Sequence, residues 1–316
     1  MRCGIKSAFK FFIAVLVVLF ELSFQKAWSA PCCARSAAAP FLILSDDEAQ
    51  FNLGFSAVDS VADVTDKVYF NLPGKSDFTS QVRMDGAILL SDRFQAGASA
   101  ALVGRSVSSN SKLSSGLGLG DLRLSFGYEV LPSWSYSVWK PQGFLFSVIT
   151  LPTGRSKYEL GNGYSSADVS GLGFYSGAFG AIFLKRWNVV DAFFLAEFHY
   201  SVPRVFESGL VSTHVVPGFG ASTGLGLGWS PGGGALRVGL RIQPRMDQVP
   251  LRQGVPELQN SPSLISNCDT GLDLSYMLGS SETLMLSYTD QTLLGYAVNS
   301  NLNRVLALNF QHRWER

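Results

Sequence analysis

Apolar and polar residues alternate one by one through segment after segment of this chain, and no other feature narrows its possible folds as much. In residues 116–130, GLGLGDLRLSFGYEV, the side chains of Leu122, Leu124, Phe126, Tyr128 and Val130 share one face. Asp121, Arg123, Ser125, Gly127 and Glu129 share the other. Successive side chains of a β-strand point to opposite faces, so this is a strand with one apolar and one polar side. A single such strand would also suit the half-buried sheet of a soluble protein. Recurrence decides the matter. Residues 218–229 alternate strictly, with Phe219, Leu225, Leu227 and Trp229 set against a column of glycines and Ser222. Repeated segments of about ten residues, apolar and aromatic on one face and Gly, Ser or charged on the other, are the signature of a transmembrane β-barrel.

Composition fits a surface that needs little charge. Only 16% of the 316 residues are charged and 47% are hydrophobic, against roughly 25% charged in an average soluble domain. The formal net charge is +1, with Lys and Arg scattered rather than clustered, which argues against a nucleic-acid partner. The expected partners are outer-membrane lipid, lipopolysaccharide and small solutes.

Residues 1–29 read as a signal peptide. Lys6 and Lys10 precede a ten-residue apolar core, 11–20, that Glu21 stops. That core is too short to cross a bilayer as a helix. Ala27 and Ser29 place cleavage after Ser29, residues 30–47 then form a periplasmic lead-in, and residues 48–316 form the barrel. Cys32, Cys33 and Cys268 remain after the leader is lost. An odd number in an oxidising compartment implies a free thiol or an intermolecular disulfide. No metal site or cofactor is expected, because the cysteines lack His or acidic partners at ligand spacing.

The alternating segments number about twelve, with ten and fourteen as the alternatives, which gives an all-β, antiparallel up-and-down transmembrane barrel. Short connections are expected at 91–93, 131–141, 186–188, 230–234 and 279–281, and long ones at 58–78, 106–119, 152–170, 202–216, 244–267 and before the last strand. Strictly alternating long and short connections suit a barrel with both termini in the periplasm. Trp134, Tyr136 and Trp139 lie where a membrane interface would favour amphipathic rings. Two features stay open. The glycine column of 218–229 implies close approach of other groups or a crowded lumen, and residues 143–151 are almost continuously apolar, so their facing cannot be read.

GLGD at 118–121 opens one strand, LPTG at 151–154 closes the next, and a Gly-rich strand follows. Over residues 116–229 this pattern resembles the outer-membrane barrel family named for a phenol-degradation meta pathway. The resemblance implies an outer-membrane barrel and the passage of small molecules, hydrophobic ones among them. Phe310, His312 and Trp314 have the alternate spacing of an assembly signal, although Glu315 and Arg316 follow where such proteins usually end on an aromatic.

The polar face collects Arg83, Arg123, Arg237, Arg241 and Arg313. Against them stand Asp85, Asp121, Glu129, Asp191, Glu197, Asp269 and Asp273. These candidates either line an aqueous path with a mild cation preference or pair into a network that fills a narrow barrel. Material for an enzyme is thin, since catalysis of the lipase type needs a Ser and a His within hydrogen-bond reach. Glu197 and His199 share a face and are the one acid–base pair worth following. The glycine clusters open strands, whereas a phosphate loop must open a helix. A channel for small solutes is therefore the leading expectation. The alternative is a structural or surface-interaction barrel, cross-linked through Cys32, Cys33 or Cys268.

Overall fold

The computed structural model describes residues 41–44, 47–64, 70–71, 75–109, 112–132, 137–159, 165–208, 211–232, 234–257, 264–295 and 297–316. The segment read as a signal peptide, Cys32, Cys33, Trp134 and Tyr136 lie outside the described residues.

The wall is built from β1 (Asp47–Val64), β2 (Lys75–Leu89), β3 (Phe94–Ser109), β4 (Leu122–Leu131), β5 (Gln142–Leu151) and β6 (Ser176–Trp187). It continues through β7 (Val190–Ser201), β8 (Gly218–Trp229), β9 (Leu236–Gln248), β10 (Leu264–Met277), β11 (Glu282–Asp290) and β12 (Ser300–Glu315). Each pairs antiparallel with its sequence neighbours, and β12 returns to β1 in a register running from Asp47 opposite Glu315 to Val64 opposite Ser300. Of the fourteen strands in this sheet among the described residues, Phe70–Asn71 and Lys112–Leu119 only extend hairpins, which leaves twelve in the wall. Closure satisfies every edge, the condition for crossing a bilayer with strands.

Outward side chains are apolar and exposed: Phe55 on β1, Met84 on β2, Phe126 on β4, Phe179 on β6, Phe198 on β7, Leu227 on β8, Leu240 on β9 and Leu306 on β12. A girdle of that extent is far larger than an apolar patch that water tolerates. It is the lipid-facing surface of an outer-membrane barrel. Trp187, Trp229 and Trp314 end their strands and Trp139 stands beside them at the rim with the short turns, where interfacial aromatics belong. The connection between β4 and β5 is tied to this rim. Lys185 donates from its ammonium to the carbonyls of Ser137 and Lys140, and Trp187 Nε1 donates to the carbonyl of Val138 at 3.0 Å.

At the opposite rim several segments expected as loops are strand. β3 runs on to Ser109 and pairs with Lys112–Leu119, which replaces the loop expected over 106–119. Arg204–Ser208 and Val211–Val216 form a hairpin within 202–216 and join Leu251–Arg252 and Val255–Pro256 in a small separate sheet. β9 and β10 pair as far as Gln248 and Leu264, inside the loop expected over 244–267. Above the membrane there is no lipid on one side to impose alternation, so these strands do not announce themselves. Tyr158, Phe174, Phe206 and Val215 pack as a small core under this sheet, with the Tyr158 and Phe206 rings 5.2 Å apart. Tyr158 donates to Glu257 at 3.0 Å, and Lys157 Nζ lies 2.9 Å from the same carboxylate. Burial first, and the neighbouring Glu257 charge second, push the Tyr158 hydroxyl well above the usual tyrosine range.

Candidate functional site

In a single-layered barrel a strand side chain is buried by pointing inward, so burial identifies the lumen face. On β8 the inward column is Gly220, Ser222, Gly224, Gly226 and Gly228. A Cβ at Gly226 would stand 2.0 Å from the Phe193 ring, one at Gly228 would stand 2.3 Å from Arg237 Nη2, and one at Gly220 would stand 2.1 Å from His199 Nε2. The glycines are therefore room for large side chains reaching over from β7 and β9. The lumen is crowded.

One wall of that lumen is hydrocarbon. Phe144, Phe146 and Val148 of β5, Ile182 and Leu184 of β6, and Phe193 and Leu195 of β7 form a buried cluster. The apolar run 143–151 was unreadable for this reason: β5 is apolar toward lipid and toward the lumen alike. The cluster is completed by Leu42, from residues 41–44 of the lead-in, which lie inside the barrel. Gln95 of β3 accepts from the Ile43 amide at 2.5 Å and donates to the Ile43 carbonyl at 3.1 Å. A Cβ at Gly127 would meet Leu42 Cδ2 at 2.7 Å, and one at Gly97 would meet the Phe41 carbonyl oxygen at 3.1 Å. Burying Leu42 and Ile43 is worth about 1.5–3 kcal/mol each, and two hydrogen bonds add about 1 kcal/mol each. Ordering four residues costs about 1–2 kcal/mol apiece. Leu44 also packs partly against the cluster, so the segment sits in a shaped seat whose gain and ordering cost are of similar size.

The remaining interior carries the charged candidates, and most have partners. Arg237 grips Asp191 with two bonds, Nε to Oδ2 at 2.7 Å and Nη2 to Oδ1 at 2.6 Å. Arg241 donates to Asp273 at 2.8 Å and to Thr289 at 2.6 Å. Arg83 Nε lies 3.3 Å from Asp85, which also accepts from Ser99 at 2.6 Å and Asn52 at 3.2 Å. Gln142 donates to Glu129 at 2.8 Å, Gln291 donates to Asp269 at 2.7 Å, and Arg313 donates to the Ser280 carbonyl at 2.8 Å. Arg123 stands opposite Thr150, beyond Val148 toward the rim with the long connections, with Ser99 between it and Asp85. The charges of Glu197, Arg83, Asp85 and Arg245 act on it, so a charged belt lies between that rim and the apolar wall.

Asp121 sits elsewhere, between Lys112–Leu119 and β4 at the outer rim. Its carboxylate accepts from the Gly154 amide at 3.0 Å and the Leu172 amide at 2.7 Å. Thr153 Oγ1 donates to the Gly120 carbonyl at 2.7 Å and accepts from the Leu122 amide at 3.0 Å. The GLGD and LPTG segments thus interlock, and together they pin the connection between β5 and β6. Asp121→Ala should weaken this anchor by about 2 kcal/mol, since bonds to a charged acceptor are worth about 1.5–3 kcal/mol. Trypsin added to intact cells should then cut at Arg155 or Lys157 at least tenfold faster, because cleavage follows local opening.

His199 is held between two carboxylates, Nε2 at 2.7 Å from Asp247 and Nδ1 at 3.5 Å from Glu197, with Arg245 Nε donating to Asp247 at 2.7 Å. Both ring nitrogens are committed to this network. Cys268 is free and buried in β10, so a bond to another chain would need that strand end to open. Among the described residues no three His, Cys, Asp or Glu side chains converge to hold a metal ion.

Sequence reasoning passed over the apolar wall and Gln95. The available signal was FLIL at 41–44, an apolar quartet in an otherwise small and polar lead-in.

No protein-family model matches this chain, and no curated protein matches it. Among solved structures, an outer membrane channel from Pseudomonas putida F1 superposes with a TM-score of 0.70 at 11% identity, covering 89% of this chain and 100% of that one. The β domain of the Bordetella autotransporter BrkA gives a TM-score of 0.48 at 13% identity, over 86% of this chain and 100% of its own. The CymD monoaromatic hydrocarbon channel gives 0.43 at 10% identity, over 86% of this chain and 90% of its own. The likeness to the Pseudomonas channel is one of fold: this chain is a β-barrel of the bacterial outer membrane.

Proposed function

We propose that this chain is an outer-membrane channel for small, largely apolar solutes. The observation that carries this reading is the hydrocarbon inner wall formed by Phe144, Phe146, Val148, Ile182, Leu184, Phe193 and Leu195. A water-filled porin has a polar interior, whereas this wall offers an apolar molecule a place out of water. A solute that buries about 150 Å² there would gain roughly 4 kcal/mol at 25 cal/mol per Å². The paired charges add support, because salt-bridged side chains offer a free ion little to replace its hydration. The kinship proposed with the barrel family named for the phenol-degradation meta pathway rests on the GLGD and LPTG sequence segments.

A second reading, a structural barrel without transport, draws on the same crowding: residues 41–44 and the ion pairs lie inside the barrel. Uptake separates the two. Cells with an intact lipopolysaccharide leaflet that produce this protein should take up radiolabelled toluene about tenfold faster than cells that lack it, with sucrose entry unchanged. Equal toluene entry in both would favour the structural barrel.

A further inference from the structure

Parts of the lumen are filled by the wall itself. Phe193 lies over Gly226 and Arg237 lies over Gly228. At the apolar wall the filler comes from outside the wall, from residues 41–44. Leu42 lies among Phe144, Phe146, Ile182, Leu184, Phe193 and Leu195. The backbone of Ile43 is held by one side chain, Gln95, which is only 3% exposed and supplies both a donor and an acceptor. Gly97 and Gly127 leave the space in which Phe41 and Leu42 lie. A solute that buries apolar area at this wall competes directly with the segment for the same surface.

We infer that this seat is the binding site for the solute and that residues 41–44 fill it when the solute is absent. The inference rests on the channel reading above. Leu42 shows what the site accepts: an uncharged hydrocarbon group with the bulk of a branched butyl chain or a single aromatic ring. A charged ligand would lose its hydration against this wall, where Gln95 offers only a neutral amide and no opposite charge. The charged belt around Arg123, Glu197, Arg83 and Asp85 lies on the side of the wall toward the long connections. An entering solute therefore passes the belt, displaces Leu42 and leaves toward the periplasm, after which the segment reseats.

The test uses the full chain in lipopolysaccharide-containing membranes with Leu42→Cys, in a background of Cys32→Ser, Cys33→Ser and Cys268→Ser. The readout is the rate of maleimide labelling at position 42. Toluene should accelerate labelling at least tenfold and saturably, and benzoate should leave it unchanged. Gly127→Val, which fills the seat, should label at least tenfold faster without toluene and show no further response to it. Gln95→Ala should act in the same direction, and covers the case in which Gly127→Val does not fold. Labelling that toluene leaves unchanged, or that neither substitution accelerates, overturns the inference. Toluene uptake measured in parallel separates the two levels. Uptake without displacement rejects the seat alone, and displacement without uptake rejects the channel alone.

Discussion

Replacing Arg237 by alanine is expected to destabilise the folded barrel by about 3–5 kcal/mol. The guanidinium is 6% exposed and bonds both oxygens of Asp191, itself 10% exposed, with Gly228 and Gly239 leaving room around it. Arg237→Ala leaves a carboxylate inside the barrel with its two strongest donors removed, and that uncompensated charge is the larger part of the cost. The double variant Arg237→Met, Asp191→Asn should recover most of the loss, because replacing both members of a buried pair is close to neutral. The measurement is the urea midpoint of heat-modifiable migration for the refolded protein in detergent. A single variant within 1 kcal/mol of wild type would mean that water inside the lumen solvates Asp191 as well as Arg237 does.

Gly226→Leu should cost about 2–3 kcal/mol, through overpacking rather than through charge. The added Cβ would lie 2.0 Å from Phe193 Cε1 and 2.6 Å from Cζ, so the ring must leave its place in the apolar wall. Phe193→Ala in the same chain makes room for the leucine, and the pair should be less unstable than the two single effects added. Gly177→Ala is the control. Nothing lies within 4 Å of its Cβ position, and the residue is exposed on β6. That substitution should be neutral or stabilise by up to about 1 kcal/mol through the unfolded chain.

Where lipid lies on one side and the crowded lumen on the other, the sequence is easy to read. β8 begins and ends at Gly218 and Trp229 as its alternation requires, and Asp191 and Phe194 fall on the faces expected of them. The reading weakens wherever one of those two environments changes. Along β5 the lumen is as apolar as the membrane, so Phe146 and Ile149 look alike although one is buried and the other exposed. In Lys112–Leu119 there is no lumen, and glycines 116 and 118 serve a different purpose: their Cβ positions would meet Ala167 and Ser170 of the neighbouring connection. Asp121 illustrates the same limit. It continues the polar parity of β4, yet its carboxylate turns to the amides of Gly154 and Leu172, contacts across 33 and 51 residues that no local pattern encodes. The seat for residues 41–44 is written in sequence only as an apolar quartet, a glutamine and two glycines. Their relation appears once Gln95 and Gly127 are neighbours across the β3–β4 register.

The most direct test of a lumen built for apolar solutes is the initial rate of toluene entry into lipopolysaccharide-bearing cells that produce the wild-type protein or Leu184→Asp, matched for heat-modifiable barrel in the outer membrane. Leu184 is 7% exposed and belongs to the same buried cluster as Leu42. A carboxylate there keeps water in the seat and removes the attraction for hydrocarbon. Wild-type cells should exceed both the variant and non-producing cells by about tenfold. Equal rates in wild type and variant would contradict a path along this wall.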